Sequence, residues 1–262
     1  TDFHALAGFR PAARSVALMR ALAVPALEPY IALLAETSDA DGLRVVFTTW
    51  ITLPQPDLDV LIPAVLEAAV AYIRSGGGEF TAEARTVLEL GERYPGDAGV
   101  LAAMLLNRVS LSPGQAIFLP AGNLHAYLNG VGMEVMANSD NVLRGGLTSK
   151  HVDIPEFIST LSFDSAIIEP LEPTLGDDGF YAYPCGVPDY SLSRAEVSGT
   201  LTFGGRPETP EILLCVDGEV SLEAESGASI ELPRGASAFV CADERAYAVS
   251  GSGAIYRAGV PV

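Results

Sequence analysis

The chain has 262 residues, 49% of them hydrophobic and 18% charged, with a formal net charge of -18. That length and apolar content suit one large core or two to three smaller ones and exclude a disordered chain. Only 15 Lys and Arg are spread along it, which excludes a nucleic-acid binder, since phosphate binding needs a basic face.

From Thr1 to Asn107 the apolar residues recur at helical spacing, as in PAARSVALMRALA, DLDVLIPAVLEAAVAYIRSG and TAEARTVLEL, and this stretch is expected to be mostly α. Pro25, Pro29, Pro54 and Pro56 mark breaks between helices, Ser75-Gly76-Gly77-Gly78 ends the longest helix, and Thr81 is expected as the N-cap of the next, with Glu83 in its first turn. Arg10 and Arg14 fall on an early helix and read as solvated or ion-paired scaffold. From Arg108 the pattern changes to short apolar runs between turn residues: RVSL, QAIFLP, HAYLNG, GMEVMA, then a helical IPEFISTL. That spacing suits a sandwich or barrel. From Ser165 to Val262 strand-like pieces continue, including ILLCVDGEVSLEA, SIELPRGASAFVCA and AYAVSGSGAIYRA, with Val216-Asp217-Gly218-Glu219 as a hairpin signal. The expected fold class is therefore α+β, with a helical domain over 1–107, β strands and a connecting helix over 108–164, and a second β unit over 165–262.

Cys185, Cys215 and Cys241 are odd in number, widely spaced and set among apolar neighbours, which reads as buried free thiols in a reducing compartment. No run reaches the roughly 18 apolar residues of a membrane span, and no basic stretch followed by an apolar core opens the chain. A cytoplasmic location without a membrane partner is the default expectation.

An internal echo joins the two β regions. Leu111-Ser-Pro-Gly114, Phe118 and His125-Ala126-Tyr127 are matched by Leu232-Pro-Arg-Gly235, Phe239 and Arg245-Ala246-Tyr247 with a one-residue gap. Duplication and a shared turn preference explain it about equally well. Under duplication Arg245 stands where His125 stands, and under either reading the second β unit is structural.

The polar chemistry concentrates between Gly114 and Lys150. The chain has three histidines, and one of them, His125, lies in this Pro/Gly-punctuated β pattern, followed by Glu134, Asp140, Arg144 and Lys150. An anionic small substrate would need a local concentration of cations, and Arg144 with Lys150 is the place that offers one.

Pro120-Ala121-Gly122-Asn123-Leu124-His125-Ala126-Tyr127-Leu128 and Ser139-Asp140-Asn141-Val142-Leu143-Arg144-Gly145-Gly146-Leu147-Thr148-Ser149-Lys150 resemble the signature region of the type I phosphomannose isomerases, and Phe3-His4-Ala5-Leu6-Ala7-Gly8-Phe9-Arg10-Pro11 resembles that family's entry into its helical domain. The resemblance implies cupin-like jelly-roll β units, the first incomplete in this chain, and a zinc-dependent interconversion of mannose 6-phosphate and fructose 6-phosphate. The phosphorylated hexose would be the partner. Zn²⁺ would be the cofactor, with His125 as a neutral imidazole ligand.

In such a site Arg144 is the expected oxyanion stabiliser, Asp140 its orienting carboxylate and Glu134 an acid/base or hydroxyl-binding group; Tyr127 and Asn141 would line the substrate pocket, and Thr148 and Lys150 would receive the phosphate. From the residues alone, Arg144 reads equally as scaffold paired with Asp140, Lys150 as a solvated loop end, Glu134 as a solvent-facing strand residue, and His125 as a hydrogen-bonded core histidine. His4 and His151 fit no ligand spacing.

The departure from the family is equally informative. Its Gln-x-His pair and Asn-His-Lys-Pro-Glu segment do not occur here, which leaves one of the family's four metal ligands. The expectation that follows is a chain complete only with an N-terminal segment, present in the same polypeptide or as a separate partner, and inactive without it. The competing expectation is a non-catalytic, cupin-like sugar-binding or structural protein that has lost its metal site.

Overall fold

The structure, a computed structural model, describes residues 1–139, 142–204, 209–243 and 246–261. It divides into two compact units, the first comprising 1–112, 119–131 and 142–169, the second 113–118, 132–139 and the described residues from 170 onward. The α+β class expected from the sequence is observed. The expected boundary between 107 and 108 falls inside the first unit, because strands from both sides of it pair with each other.

The first unit begins with a strand, β1 (Phe3–Phe9), followed by α1 (Ala12–Leu22), α2 (Glu28–Glu36), α3 (Asp39–Ile51), α4 (Gln55–Arg74), α5 (Thr81–Arg93) and the short α6 (Gly99–Ala102). Then come β2 (Leu106–Leu111), β3 (His125–Asn129) and α7 (Ile154–Thr160). The strands form an antiparallel sheet in the order β2-β1-β3. The stretch over 1–107 is mostly helical as expected, and β1 is the exception to that expectation. Successive side chains on a strand point to opposite faces, yet Ala5, Leu6 and Ala7 are all about 1% exposed or less. A strand covered on both faces loses the apolar–polar alternation that would announce it.

The helices follow their periodicity. Leu43, Val46, Phe47 and Trp50 on α3 and Leu58, Leu61, Ile62 and Val65 on α4 recur every three or four residues and are buried in one cluster with Phe9, Leu18 and Met19. Phe9 stacks on Phe163 with ring centroids 5.0 Å apart, and Phe47 meets both edge-on. Phe47→Ala would leave a cavity among these rings and cost about 3–5 kcal/mol.

Helix ends agree with local chemistry where a short polar side chain stands at the cap. Ser38 accepts from the Asp41 N–H at α3, and Asp153 accepts from the Glu156 N–H at α7. Thr81 is not a cap as expected. Phe80 occupies that position, and the Thr81 hydroxyl instead closes the preceding turn through the N–H and carbonyl of Gly78. Glu83 does sit in the first turn, 3.7 Å from the buried Arg10. Arg14 pairs with Glu79, so both early arginines are ion-paired, although Arg10 precedes α1 rather than lying on it.

The second unit holds β4 (Thr174–Leu175), β5 (Tyr181–Ala182), β6 (Ser191–Gly204), β7 (Glu211–Ala224), β8 (Ser229–Pro233), β9 (Ser237–Val240) and β10 (Ala246–Gly259). Their antiparallel order is β4-β5-β6-β10-β7-β8, with β9 also paired to β7. Val216–Glu219 is not a hairpin but the interior of β7. The register against β10 slips there, Asp217 facing Ala254 and Cys215 facing Ile255, which leaves Val216 as the extra residue of a β-bulge. A one-residue slip reverses the inward face. Glu211, Leu213 and Cys215 point in before the bulge, and Val220 and Leu222 after it. Gly218, at φ +67°, has the carbonyl of Ser252 where a Cβ would be, so no other residue fits.

Ser193, Glu211, Tyr247 and Arg257 lie deep in this unit. Arg257 donates to Asp178 at 2.6 Å and to Ser193 at 3.2 Å, lies 3.9 Å from Glu211, and covers the Phe180 ring; Tyr247 donates to Glu211 at 2.7 Å. Burial acts to raise the Asp178 carboxyl, but the hydrogen bond and charge of Arg257 and the Phe180 N–H hold it below its ordinary value. The Tyr247 hydroxyl is pushed well up by burial and by Glu211. The cysteines are free, with Cys215 buried, Cys185 partly so and Cys241 exposed, so the expectation of uniform burial fails at Cys241.

Candidate active site

His125 owes its position to two tight turns. Pro120–Asn123 is a β-turn closed by the Asn123 N–H on the Pro120 carbonyl, with Gly122 third at φ +80°, the backbone a type II turn requires there. A Cβ at Gly122 would lie 2.9 Å from the Thr160 carbonyl oxygen. The second fixture is in β1, where the pairing with β2 skips Gly8. Gly8, at φ +61°, turns its N–H to the Leu124 carbonyl at 2.8 Å, and the Asn107 amide lies within 2.8–3.2 Å of the carbonyls of Ala7, Gly8, Phe9 and Ala166. The residue before His125 is thereby bonded to the sheet's central strand.

The His125 ring is exposed, and its Nδ1 lies 3.0 Å from the Asn123 carbonyl oxygen. A carbonyl only accepts, so Nδ1 carries the proton of that bond and a neutral ring keeps its lone pair on Nε2. This is the orientation of a metal-binding imidazole. The alternative of a core histidine does not hold. One donor is not a site, however, and among the described residues no group of three or more His, Cys, Asp or Glu is placed to hold a metal. The chain's described residues do not fit a zinc ion by themselves.

Tyr127 follows on β3, half exposed, with its ring 5.8 Å from that of His125 and edge-on to Phe3 at 5.3 Å. Glu134 is exposed and belongs to the second unit. It does not lie on a strand, so the alternation expected for GMEVMA is absent; 115–120 likewise contributes only an isolated bridge, Ala116 to Leu171. Asp140, Asn141 and Arg245 lie outside the described residues.

Arg144, Thr148 and Lys150 belong to the first unit, on a segment without helix or strand that is nonetheless tied down. Leu143 and Leu147 pack on the main core. Gly145 lies against the Phe157 ring, which a Cβ would overlap. Leu147 adopts φ +52°, a left-handed conformation that costs a leucine roughly 1–2 kcal/mol, and its N–H donates to Asp97 Oδ2 at 2.9 Å. Arg144 is exposed and forms no ion pair among the described residues. The Thr148 hydroxyl accepts the Lys150 N–H at 3.1 Å, and Thr148 lines an open cavity of about 470 Å³ with Arg93, Tyr94, Asp97, Leu147 and Ser149. The Lys150 side chain is exposed, and His151 is a surface residue as expected. His4 is only partly exposed, with Nδ1 2.9 Å from the Ser110 hydroxyl.

Asp97 was not expected as part of this arrangement. Its signal in the sequence is Tyr94-Pro95-Gly96-Asp97, a Pro-Gly turn just before a small helix.

Residues 181–259 match the family model "Mannose-6-phosphate isomerase, cupin domain". The chain is 34% identical to the mannose-6-phosphate isomerase of Escherichia coli over 98% of its own length and 63% of that protein, and 33% identical to isomerase 1 of Arabidopsis thaliana over 99% and 62%. A crystal structure of phosphomannose isomerase from Salmonella typhimurium superposes with a TM-score of 0.84 at 32% identity, covering all of this chain and 66% of the other. Among the Salmonella structures are single alanine variants of a histidine, a glutamate and an arginine that follow one another at separations of nine and ten residues. His125, Glu134 and Arg144 have the same separations. The chain spans about 63% of the length of the curated relatives it matches first, and along that span it belongs to the mannose-6-phosphate isomerase family.

Proposed function

We propose that this chain carries part of the active site of an aldose–ketose isomerase acting on mannose 6-phosphate and fructose 6-phosphate. The observation that carries the reading is Arg144: an exposed guanidinium without an ion pair among the described residues, on an anchored segment with Thr148 and Lys150 close in sequence, in a chain of net charge -18. Cations left available on so acidic a protein favour an anionic ligand.

The isomerisation moves a proton from C2 of the aldose to C1 and the hydroxyl proton from the C2 oxygen to the former carbonyl oxygen on C1, passing through an enediolate whose negative charge grows on that former carbonyl oxygen. Arg144 donates to that oxygen, and Asp140 orients the guanidinium. Glu134 serves as a proton-transfer or hydroxyl-binding group. Lys150 and Thr148 hold the phosphate, and Tyr127 and Asn141 contact the sugar. His125 offers Nε2 to a metal whose other ligands the described residues do not supply.

The test is an assay of the protein that contains this chain. It should form fructose 6-phosphate from mannose 6-phosphate, and Arg144→Ala should lower kcat far more than it raises KM. Normal turnover in that variant removes Arg144 from the chemistry. Absence of turnover in the unaltered protein, folded and supplied with zinc, removes the isomerase reading.

A further inference from the structure

Three regions hold chemistry beyond the roles above. The buried Arg257 network is closed on itself, its charges satisfied by Asp178, Glu211 and Ser193. The shallow groove on α4 lined by Leu66, Glu67, Val70, Ala71 and Arg74 has nothing on it that indicates an occupant. The third, around Asp97, carries an inference.

Tyr94–Asp97 is a turn closed by the Asp97 N–H on the Tyr94 carbonyl, with Gly96 at φ +76°, and the Gln55 amide donates to the Gly96 carbonyl at 3.1 Å. Asp97 is thus fixed to the start of α4. One carboxylate oxygen accepts the Gly99 N–H at 2.7 Å, two residues on, and the other accepts the Leu147 N–H at 2.9 Å, fifty residues away. Leu147 is the non-glycine residue of the segment with positive φ, and it stands three residues after Arg144 and one before Thr148. A leucine does not hold that conformation unaided, because its Cβ crowds its own carbonyl. An acceptor aimed at its N–H supplies the compensation, as strained residues require.

We propose that Asp97 is a positioning residue, whose carboxylate locks Leu147 in the left-handed conformation and so sets the directions in which Arg144 and Thr148 leave the backbone. The proposal rests on the isomerase reading for its consequence in turnover, while the lock itself is a property of the fold. Relaxing Leu147 to negative φ would reverse the local course of the chain and redirect its neighbours. Misplacement of a catalytic group by about 1 Å is enough to cost on the order of 100-fold in rate.

The test uses Asp97→Ala, Asp97→Asn and the double variant Asp97→Ala with Leu147→Gly, read by amide hydrogen exchange at Leu147, by kcat and KM with mannose 6-phosphate, and by Tm. In Asp97→Ala, exchange at Leu147 should quicken at least about tenfold and kcat/KM should fall about 100-fold, mostly through kcat. Asp97→Asn keeps one acceptor oxygen and the same shape, so it should lose about tenfold in kcat/KM, and it decides the matter if the alanine variant does not fold.

Glycine adopts positive φ without help, so adding Leu147→Gly to Asp97→Ala should recover about tenfold in kcat/KM even as the lost leucine packing lowers Tm further. A merely structural Asp97 would show activity and Tm falling together in the double variant, and that result overturns the proposal. So does unchanged exchange at Leu147 in both single variants. If the unaltered protein has no isomerase activity, the functional reading fails, and the exchange measurement still decides whether Asp97 holds Leu147.

Discussion

Arg144 and Arg257 are the same residue type in opposite settings in the two units. Arg257 is 7% exposed and spends its donors on Asp178 and Ser193, with Glu211 and the Phe180 ring closing around it. Arg144 is exposed, forms no ion pair among the described residues, and sits on a segment whose backbone is tied down. A buried arginine with its partners in place has no capacity left for a ligand, and its removal strands the groups it neutralised. An exposed one contributes little to stability, and holding it in place is useful only if something is to bind. The contrast assigns structure to the Arg257 network of the second unit and, under the isomerase reading, leaves Arg144 of the first unit for chemistry.

Substitution at the two arginines should separate these uses most sharply. Arg144→Ala is expected to lower kcat by about 100- to 1,000-fold, as loss of an oxyanion donor does, while changing stability by less than about 0.5 kcal/mol, read by steady-state kinetics beside thermal melting. Arg257→Ala should do the reverse, costing about 3–5 kcal/mol in denaturant unfolding because Asp178 and Glu211 lose their cation. If Arg257→Ala leaves stability intact, the comparison breaks. Tyr247→Phe is a milder probe of the same network. It removes the donor to Glu211 and should cost about 1–3 kcal/mol.

The smallest effect concerns acid. Asp178 is held below its ordinary value of 3.8, so its contribution is present above that pH and is lost as pH falls from about 3.8 through the lower folded value. Circular dichroism between pH 5 and 2 should show the wild-type second unit losing stability in that window, and Asp178→Asn should flatten the dependence.

The parts of the site that were legible in the sequence are those whose chemistry is local. A Pro-Ala-Gly-Asn turn feeding His125, and an arginine and lysine following it in a very acidic chain, can be read from neighbouring residues. Helices α3 and α4 were legible because one face is buried and the other wet. β1 was not, since burial of both faces erased its alternation, and neither was the bulge in β7, where Asp-Gly imitates a hairpin turn but meets Gly253 across the sheet. The glutamate's setting also escaped, because Glu134 alternates with Met133 and Val135 as in a strand, yet no strand pairs with them among the described residues. The Pro-Gly turn that carries Asp97 is legible locally, but the residue's role is not. Its role depends on Leu147, fifty residues away, and on a dihedral angle that leucine gives no reason to expect.

The skipped register at Gly8 has a consequence for how the first unit comes to exist. β1 is the central strand of its sheet, pairing Phe3 with Leu111 on one side and Ala7 with His125 on the other, so it must wait until β2 (Leu106–Leu111) is made before its first neighbour in this sheet emerges. Contacts of such sequence separation are slow to form and leave the waiting edge open to other chains. During synthesis the intervening helices are available to collapse first, and β1 can be enclosed only after the histidine's strand has left the ribosome. The segment bearing His125 is thus the closing piece of the sheet, and errors there would surface as aggregation of nascent chains.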